Sequence, residues 1–111
     1  MKKLPEKETD IQLAICEYLA LKQRFFWRQN SIPPTFMKNG QMQFRRMPKY
    51  SINGVPDLIV LCRGTFIGLE VKRPGGRQSA HQFVFERKCK EAGCEYYIVE
   101  SVEDVITKAK L

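Results

Sequence analysis

The stretch Gly54-Val55-Pro56-Asp57-Leu58-Ile59-Val60-Leu61-Cys62-Arg63-Gly64-Thr65-Phe66-Ile67-Gly68-Leu69-Glu70-Val71-Lys72 decides how this chain folds. Two β-rich runs, Asp57 to Cys62 and Thr65 to Lys72, flank Arg63-Gly64, which reads as a hairpin turn with glycine where positive φ is often required. A two-residue or four-residue loop centred there pairs residues whose numbers sum to 127, so Cys62 faces Thr65 and Leu61 faces Phe66. Asp57 then faces Glu70. Cross-strand neighbours on one face lie about 5 Å apart, and like charges there destabilise the pair unless a cation is shared between them. Strand alternation projects Lys72 from the same face as Glu70.

Working outward, Ile11, Ile15, Tyr18 and Leu19 recur at helical spacing and predict a first helix ending near Lys22. It starts at Thr9, with Gln12 completing a capping box, or at Pro5 in the first turn of a longer form, which is favoured. Phe25 to Asn30 reads as a strand ended by Ile32-Pro33-Pro34. Thr35 to Val55 is basic and poorly periodic, with a short strand near Gln41 to Arg45. Past Lys72, Arg73 to Gln78 is a loop around Pro74-Gly75-Gly76. Ser79 opens a helix that Gly93 ends, Glu95 to Glu100 is a strand, and Ser101 with Asp104 caps a last helix reaching about Lys110. The expectation is one α/β domain over residues 1–111, with a central mixed sheet flanked by helices.

Composition narrows the function classes. With 43% hydrophobic residues, this 111-residue chain has enough apolar side chains for a real core, which excludes a disordered tail or a fibre. The longest apolar run, Leu58 to Cys62, is far short of the roughly 20 residues that cross a bilayer, so no membrane partner is expected. The charged start Met1-Lys2-Lys3-Leu4-Pro5-Glu6 lacks the apolar stretch of a secretory signal, which predicts a cytoplasmic location. Cys16, Cys62, Cys89 and Cys94 contain no Cys-x-x-Cys pair and read as buried small hydrophobes in a reducing compartment rather than as a zinc site.

The net charge of +7 arises from 19 basic and 12 acidic residues, and its distribution is uneven. No acid occurs between Tyr18 and Pro56, where Lys22, Arg24, Arg28, Lys38, Arg45, Arg46 and Lys49 accumulate; the rest of the chain nets zero. Such a face suits a phosphate backbone, a merely solvated surface being the alternative. Candidate nucleic-acid contacts are Arg28, Lys38, Arg45, Arg46 and Lys49, joined by Arg73 and Arg77 beyond Lys72.

Two hard oxygen ligands beside an amine, at the mouth of a hairpin, suit Mg²⁺ or Mn²⁺. Phosphodiester cleavage uses such sites, with a lysine to orient the nucleophile or stabilise developing charge. The alternative is an ordinary surface hairpin carrying a Glu-Lys dyad. Two further side chains bear on the choice. Glu8 falls inside the stripe of Ile11, Ile15 and Leu19, where an acid wants a partner, unless the first turn is frayed and solvated. Gln82 shares a helix face with Phe85, Cys89 and Ala92 and points toward the sheet, but Ser79-x-x-Gln82 is equally a capping box.

Glu8, Gly54-Val55-Pro56-Asp57, Glu70-Val71-Lys72, Ser79-x-x-Gln82, Gly93 and Ser101-Val102-Glu103-Asp104 together resemble the virus-type replication-repair nuclease (VRR-NUC) family of the PD-(D/E)XK superfamily. The resemblance runs from about Glu8 to Asp104 and implies a restriction-endonuclease-like fold. It implies that Asp57, Glu70 and the main-chain carbonyl of Val71 bind Mg²⁺, with Mn²⁺ able to substitute. Lys72 would orient or activate the attacking water, Glu8 would complete the acidic cluster directly or through water, and Gln82 would support the site. Stand-alone members resemble Holliday-junction resolvases, which work as dimers. The expected activity is therefore Mg²⁺-dependent cleavage of branched DNA by a homodimer of viral or mobile-element type. Phe83, Val84 and the apolar residues Met37, Met42, Phe44 and Met47 exceed what the core requires, and Phe44, Phe83 and Val84 are the expected interface. The rival readings are a non-catalytic basic nucleic-acid-binding module and a monomeric flap or end nuclease.

Overall fold

The computed structural model describes residues 7–29 and 35–111. Helix α1 (Glu8–Leu21) is followed by strands β1 (Phe25–Arg28), β2 (Thr35–Lys38), β3 (Gln41–Phe44), β4 (Leu58–Cys62) and β5 (Thr65–Val71). Helix α2 (Ala80–Glu91), strand β6 (Glu95–Val99) and helix α3 (Val102–Thr107) complete the order. Four strands form a mixed sheet in the order β1-β4-β5-β6, antiparallel except for the parallel β5–β6 pair. The α/β fold with a central mixed sheet is thus as the sequence predicts. No helix of the described residues is long and apolar enough to cross a membrane.

One face of the sheet carries the core. Leu58, Val60, Ile67, Leu69, Val71 and Val99 alternate onto it and pack with Ile11, Ile15 and Leu19 of α1 and Val105 of α3. Helix α2 covers the opposite face, where Phe85 and Tyr96 meet with ring centroids 6.2 Å apart. Both helices after β5 start as read: the Ser79 hydroxyl accepts from Gln82 N and the Ser101 hydroxyl from Asp104 N. At the end of α2, Cys94 N donates to Cys89 O and Gly93 N to Lys90 O, with Gly93 at φ 85°, a Schellman stop that requires the left-handed conformation glycine supplies.

Several expectations are corrected. Lys7 is extended, with φ −79° and ψ 150°, so α1 begins at Glu8 and not at Pro5, which lies outside the described residues along with Ile32-Pro33-Pro34 and Asn30. Thr9 sits within the helix, and no side chain caps it. The basic stretch holds two strands rather than one. β2 and β3 form a separate two-stranded sheet joined by Asn39-Gly40, at φ 51° and 74°. Of the cysteines only Cys89 is buried; Cys16, Cys62 and Cys94 are half-buried free thiols. Ala92, placed on the inward face of α2 by periodicity, is exposed because the helix has ended there.

Candidate active site

Arg63 and Gly64 both adopt the left-handed region, φ 53° and 73°, and their two-residue loop sets the register Leu58↔Leu69 through Cys62↔Thr65. Extending that register by one step brings Asp57 opposite Glu70. Asp57 precedes β4, and its Oδ2 accepts a 2.8 Å hydrogen bond from the Val71 N–H, pinning the end of the preceding loop to β5.

Close backbone contacts position that loop. A Cβ on Gly54, at φ 78°, would lie 2.3 Å from His81 O, so only glycine lets the loop touch the first turn of α2. A Cβ on Gly68 would lie 2.6 Å from the Pro56 ring. Gly54 and Gly68 therefore seat the segment that delivers Asp57 between α2 and β5.

Glu70 is the one buried charged residue among those described, 1% exposed. Gln82 Nε2 donates to its Oε1 at 2.8 Å and the Tyr96 hydroxyl donates to its Oε2 at 3.3 Å. Lys72 Nζ stands 3.9 Å from Oε1, with its side chain 12% exposed. Burial, followed by the charge and hydrogen-bonding reach of Asp57, pushes the Glu70 carboxyl up to about 9, against the opposing pull of Lys72. Two neighbouring acids, one buried and one half-buried, cannot both ionise cheaply, and Lys72 alone does not offset them.

The two readings of Gln82 hold together. Its Oε1 accepts from Ser79 N at 2.9 Å, closing the capping box, while its Nε2 reaches Glu70, so one amide orientation serves both bonds. The start of α2 is thereby attached to the carboxylate. Glu8 is not. It is exposed in the first turn of α1, the helix that packs against the opposite sheet face. Among the described residues no group of three or more His, Cys, Asp or Glu side chains is arranged to hold a metal ion. An acid in the first helical turn is satisfied by the helix dipole and by water, which explains why Glu8 needs no buried partner.

Tyr96 and Gln78 belong to the site although sequence reasoning did not select them. Gln78 Nε2 donates to the Tyr96 hydroxyl at 3.3 Å and to Glu86 Oε1 at 3.0 Å, extending the network from Glu70 to the outside of α2. Burial drives the Tyr96 hydroxyl above its ordinary range, so it stays protonated and able to donate. Alternation within β6 was the available signal. The parallel register Gly68↔Tyr96, which brings that residue to Glu70, was not available from local sequence.

The cationic residues Arg28, Lys38, Arg45, Arg46, Lys49, Arg73 and Arg77 are all exposed. Phe83 and Val84, at the start of α2, are 59% and 40% exposed. No protein-family model and no curated protein matches the chain. The chemistry therefore rests on the site: two hard carboxyl groups and a lysine, gathered where burial and the neighbouring Asp57 oppose ionisation of Glu70. That donor set fits a divalent cation of the Mg²⁺ or Mn²⁺ class.

Proposed function

We propose that this chain is a Mg²⁺-dependent DNA endonuclease with the PD-(D/E)XK fold, of the VRR-NUC kind, which hydrolyses phosphodiester bonds in branched DNA as a homodimer. The observation that carries the reading is the convergence of Asp57 and Lys72 on the buried Glu70, in a chain whose acid-free segment between Tyr18 and Pro56 carries seven cations. Asp57 and Glu70, with the Val71 carbonyl that the family resemblance adds, would hold the metal. When bound, the ion supplies Lewis-acid polarisation of the phosphoryl group and a more acidic water.

The protein's own side chains do the rest. Gln82 and Tyr96 fix the Glu70 carboxylate from two sides, so its oxygens are oriented before substrate arrives. Lys72, partly desolvated beside Glu70, is placed to orient a water or to stabilise negative charge developing on the phosphate. Asp57 is held by Val71 N–H, which makes its position independent of substrate. The basic segment supplies phosphate contacts that seat the backbone.

Asp57→Ala or Glu70→Ala should abolish Mg²⁺-dependent cleavage while DNA binding persists or strengthens, because an acid that repels phosphate is gone. Lys72→Ala should cleave very poorly yet still take up Mn²⁺ in calorimetry. Near-normal cleavage by either acid variant sinks the assignment. The rival, a non-catalytic basic nucleic-acid-binding module, is favoured by the absence of a third acid near the pair among the described residues. It predicts binding that is indifferent to chelation and to Asp57→Ala.

A further inference from the structure

The β2–β3 hairpin packs against no other helix or strand of the described residues. Its register, Thr35↔Phe44 and Met37↔Met42, places Thr35, Met37, Met42 and Phe44 on one face of the ribbon. Phe36, Lys38, Gln41 and Gln43 occupy the other, over which the Arg45 guanidinium stacks 4.8 Å from the centre of the Phe36 ring. The first face is open: Met37 and Met42 are each 65% exposed and Phe44 is 81% exposed. A contiguous apolar face of this kind on a free-standing two-stranded ribbon marks an interaction surface, since such a ribbon is only marginally stable by itself.

The surrounding charge selects the occupant. Lys38 and Arg45 flank the ribbon from its other face, Arg46 and Lys49 follow it in the chain, and no acid occurs anywhere between Tyr18 and Pro56. Two copies meeting face to face through this ribbon would bring two such basic segments together with no acid in either to offset them, which disfavours that pairing. A nucleic acid offers the complementary arrangement, apolar base faces rimmed by phosphates. Met and Phe side chains are the kind that wedge into base steps, and flanking Arg and Lys are the kind that hold the backbone.

We propose that the β2–β3 hairpin is a DNA-engaging ribbon whose Met37, Met42 and Phe44 lie against unstacked bases at a branch point, while Arg45, Arg46 and Lys49 hold the adjacent phosphates. The proposal rests on DNA as the substrate class and deepens it: the hairpin recognises the discontinuity in stacking, separately from the carboxylate site that acts on the phosphodiester. Branch selectivity then resides in a small element whose strands pack on no other strand or helix of the described residues, apart from the sheet that carries Asp57 and Glu70.

The test uses the whole chain in EDTA, so that binding is read without cleavage. Its probes are a four-way junction with 2-aminopurine at the branch and a linear duplex of the same sequence. The wild type should raise 2-aminopurine fluorescence on binding the junction. Met42→Ser with Phe44→Ser should abolish that rise and weaken junction binding about tenfold, as loss of base stacking does, with little change for the duplex. Arg45→Ala with Arg46→Ala should weaken both, each lost phosphate contact lowering the log-log salt slope by about 0.9. Both pairs replace exposed side chains, and an unchanged melting temperature verifies folding.

Wild-type junction affinity and fluorescence in the Met42/Phe44 variant would overturn the proposal. So would a drop to monomer mass in light scattering with the fluorescence rise intact, which would make the face a contact between copies. Failure of cleavage in Mg²⁺ with the binding pattern retained would remove the nuclease reading and leave the ribbon standing.

Discussion

At the scale of single residues, the pressure in this molecule is on Glu70. Its carboxyl is buried, receives hydrogen bonds from Gln82 and Tyr96, and faces Asp57. In an unfolded chain it ionises near its ordinary value of 4.5, whereas in the fold it keeps its proton up to about 9. Between those values the folded protein binds more protons than the unfolded chain, so raising the pH lowers stability. The contribution is complete below about 4.5 and is lost as pH climbs toward 9. In metal-free buffer the melting temperature should therefore fall across this window. Glu70→Gln, which keeps an acceptor for Gln82 but cannot ionise, should flatten the decline. An equally steep decline in that variant would place the titrating group elsewhere.

At the scale of elements, two glycines separate backbone conformation from packing. Gly54 and Gly64 have similar positive φ, 78° and 73°, but a Cβ meets His81 O at 2.3 Å in the first case and nothing within 4 Å in the second. Gly64→Ala should cost about 1 kcal/mol, the strain of the left-handed conformation. Gly54→Ala should cost more, on the order of 3 kcal/mol, and should depress cleavage because it displaces the start of α2 that carries Gln82. Equal losses in thermal denaturation would mean the loop simply moves aside.

Those elements also show what a sequence makes legible. The β4–β5 register follows from one turn, Arg63-Gly64, and with it the pairing of Asp57 and Glu70 was readable from residue numbers alone. The Ser79 and Gln82 capping box was readable for the same reason, since both partners lie within one helical turn. The Asn39-Gly40 turn is an equally strong local signal, but its flanking strands β2 and β3 are short and pack on no other element of the described residues, so no hydrophobic alternation marks them. Gly54 and Gly68 were not readable as packing positions, because their close contacts come from segments brought together only by the fold. Periodicity places Glu8 in the core-facing stripe of α1 yet the residue is exposed, because helical spacing gives the direction of a side chain and not what lies beneath it.

At the scale of the whole molecule, Phe83 and Val84 remain as exposed apolar residues on the first turns of α2, beside Gln82. Pairing of two copies about a two-fold axis through this face would set two sites in a fixed relation, able to nick two strands symmetrically. Light scattering should report about twice the 13.0 kDa chain mass. Phe83→Asp should shift it toward monomer and reduce paired nicking more than binding. A monomer at micromolar concentration with junction cleavage intact would instead describe a flap or end nuclease acting through one site.

If Asp57 and the buried Glu70 make this basic domain a metal-dependent nuclease, as proposed, incubation with labelled four-way, flap and linear DNA, with and without Mg²⁺, shows it most directly. Cleavage should occur only with Mg²⁺ or Mn²⁺, be strongest on the four-way junction and be stopped by EDTA. Intact DNA of all three kinds in both metals, or cleavage that EDTA leaves unchanged, would contradict it.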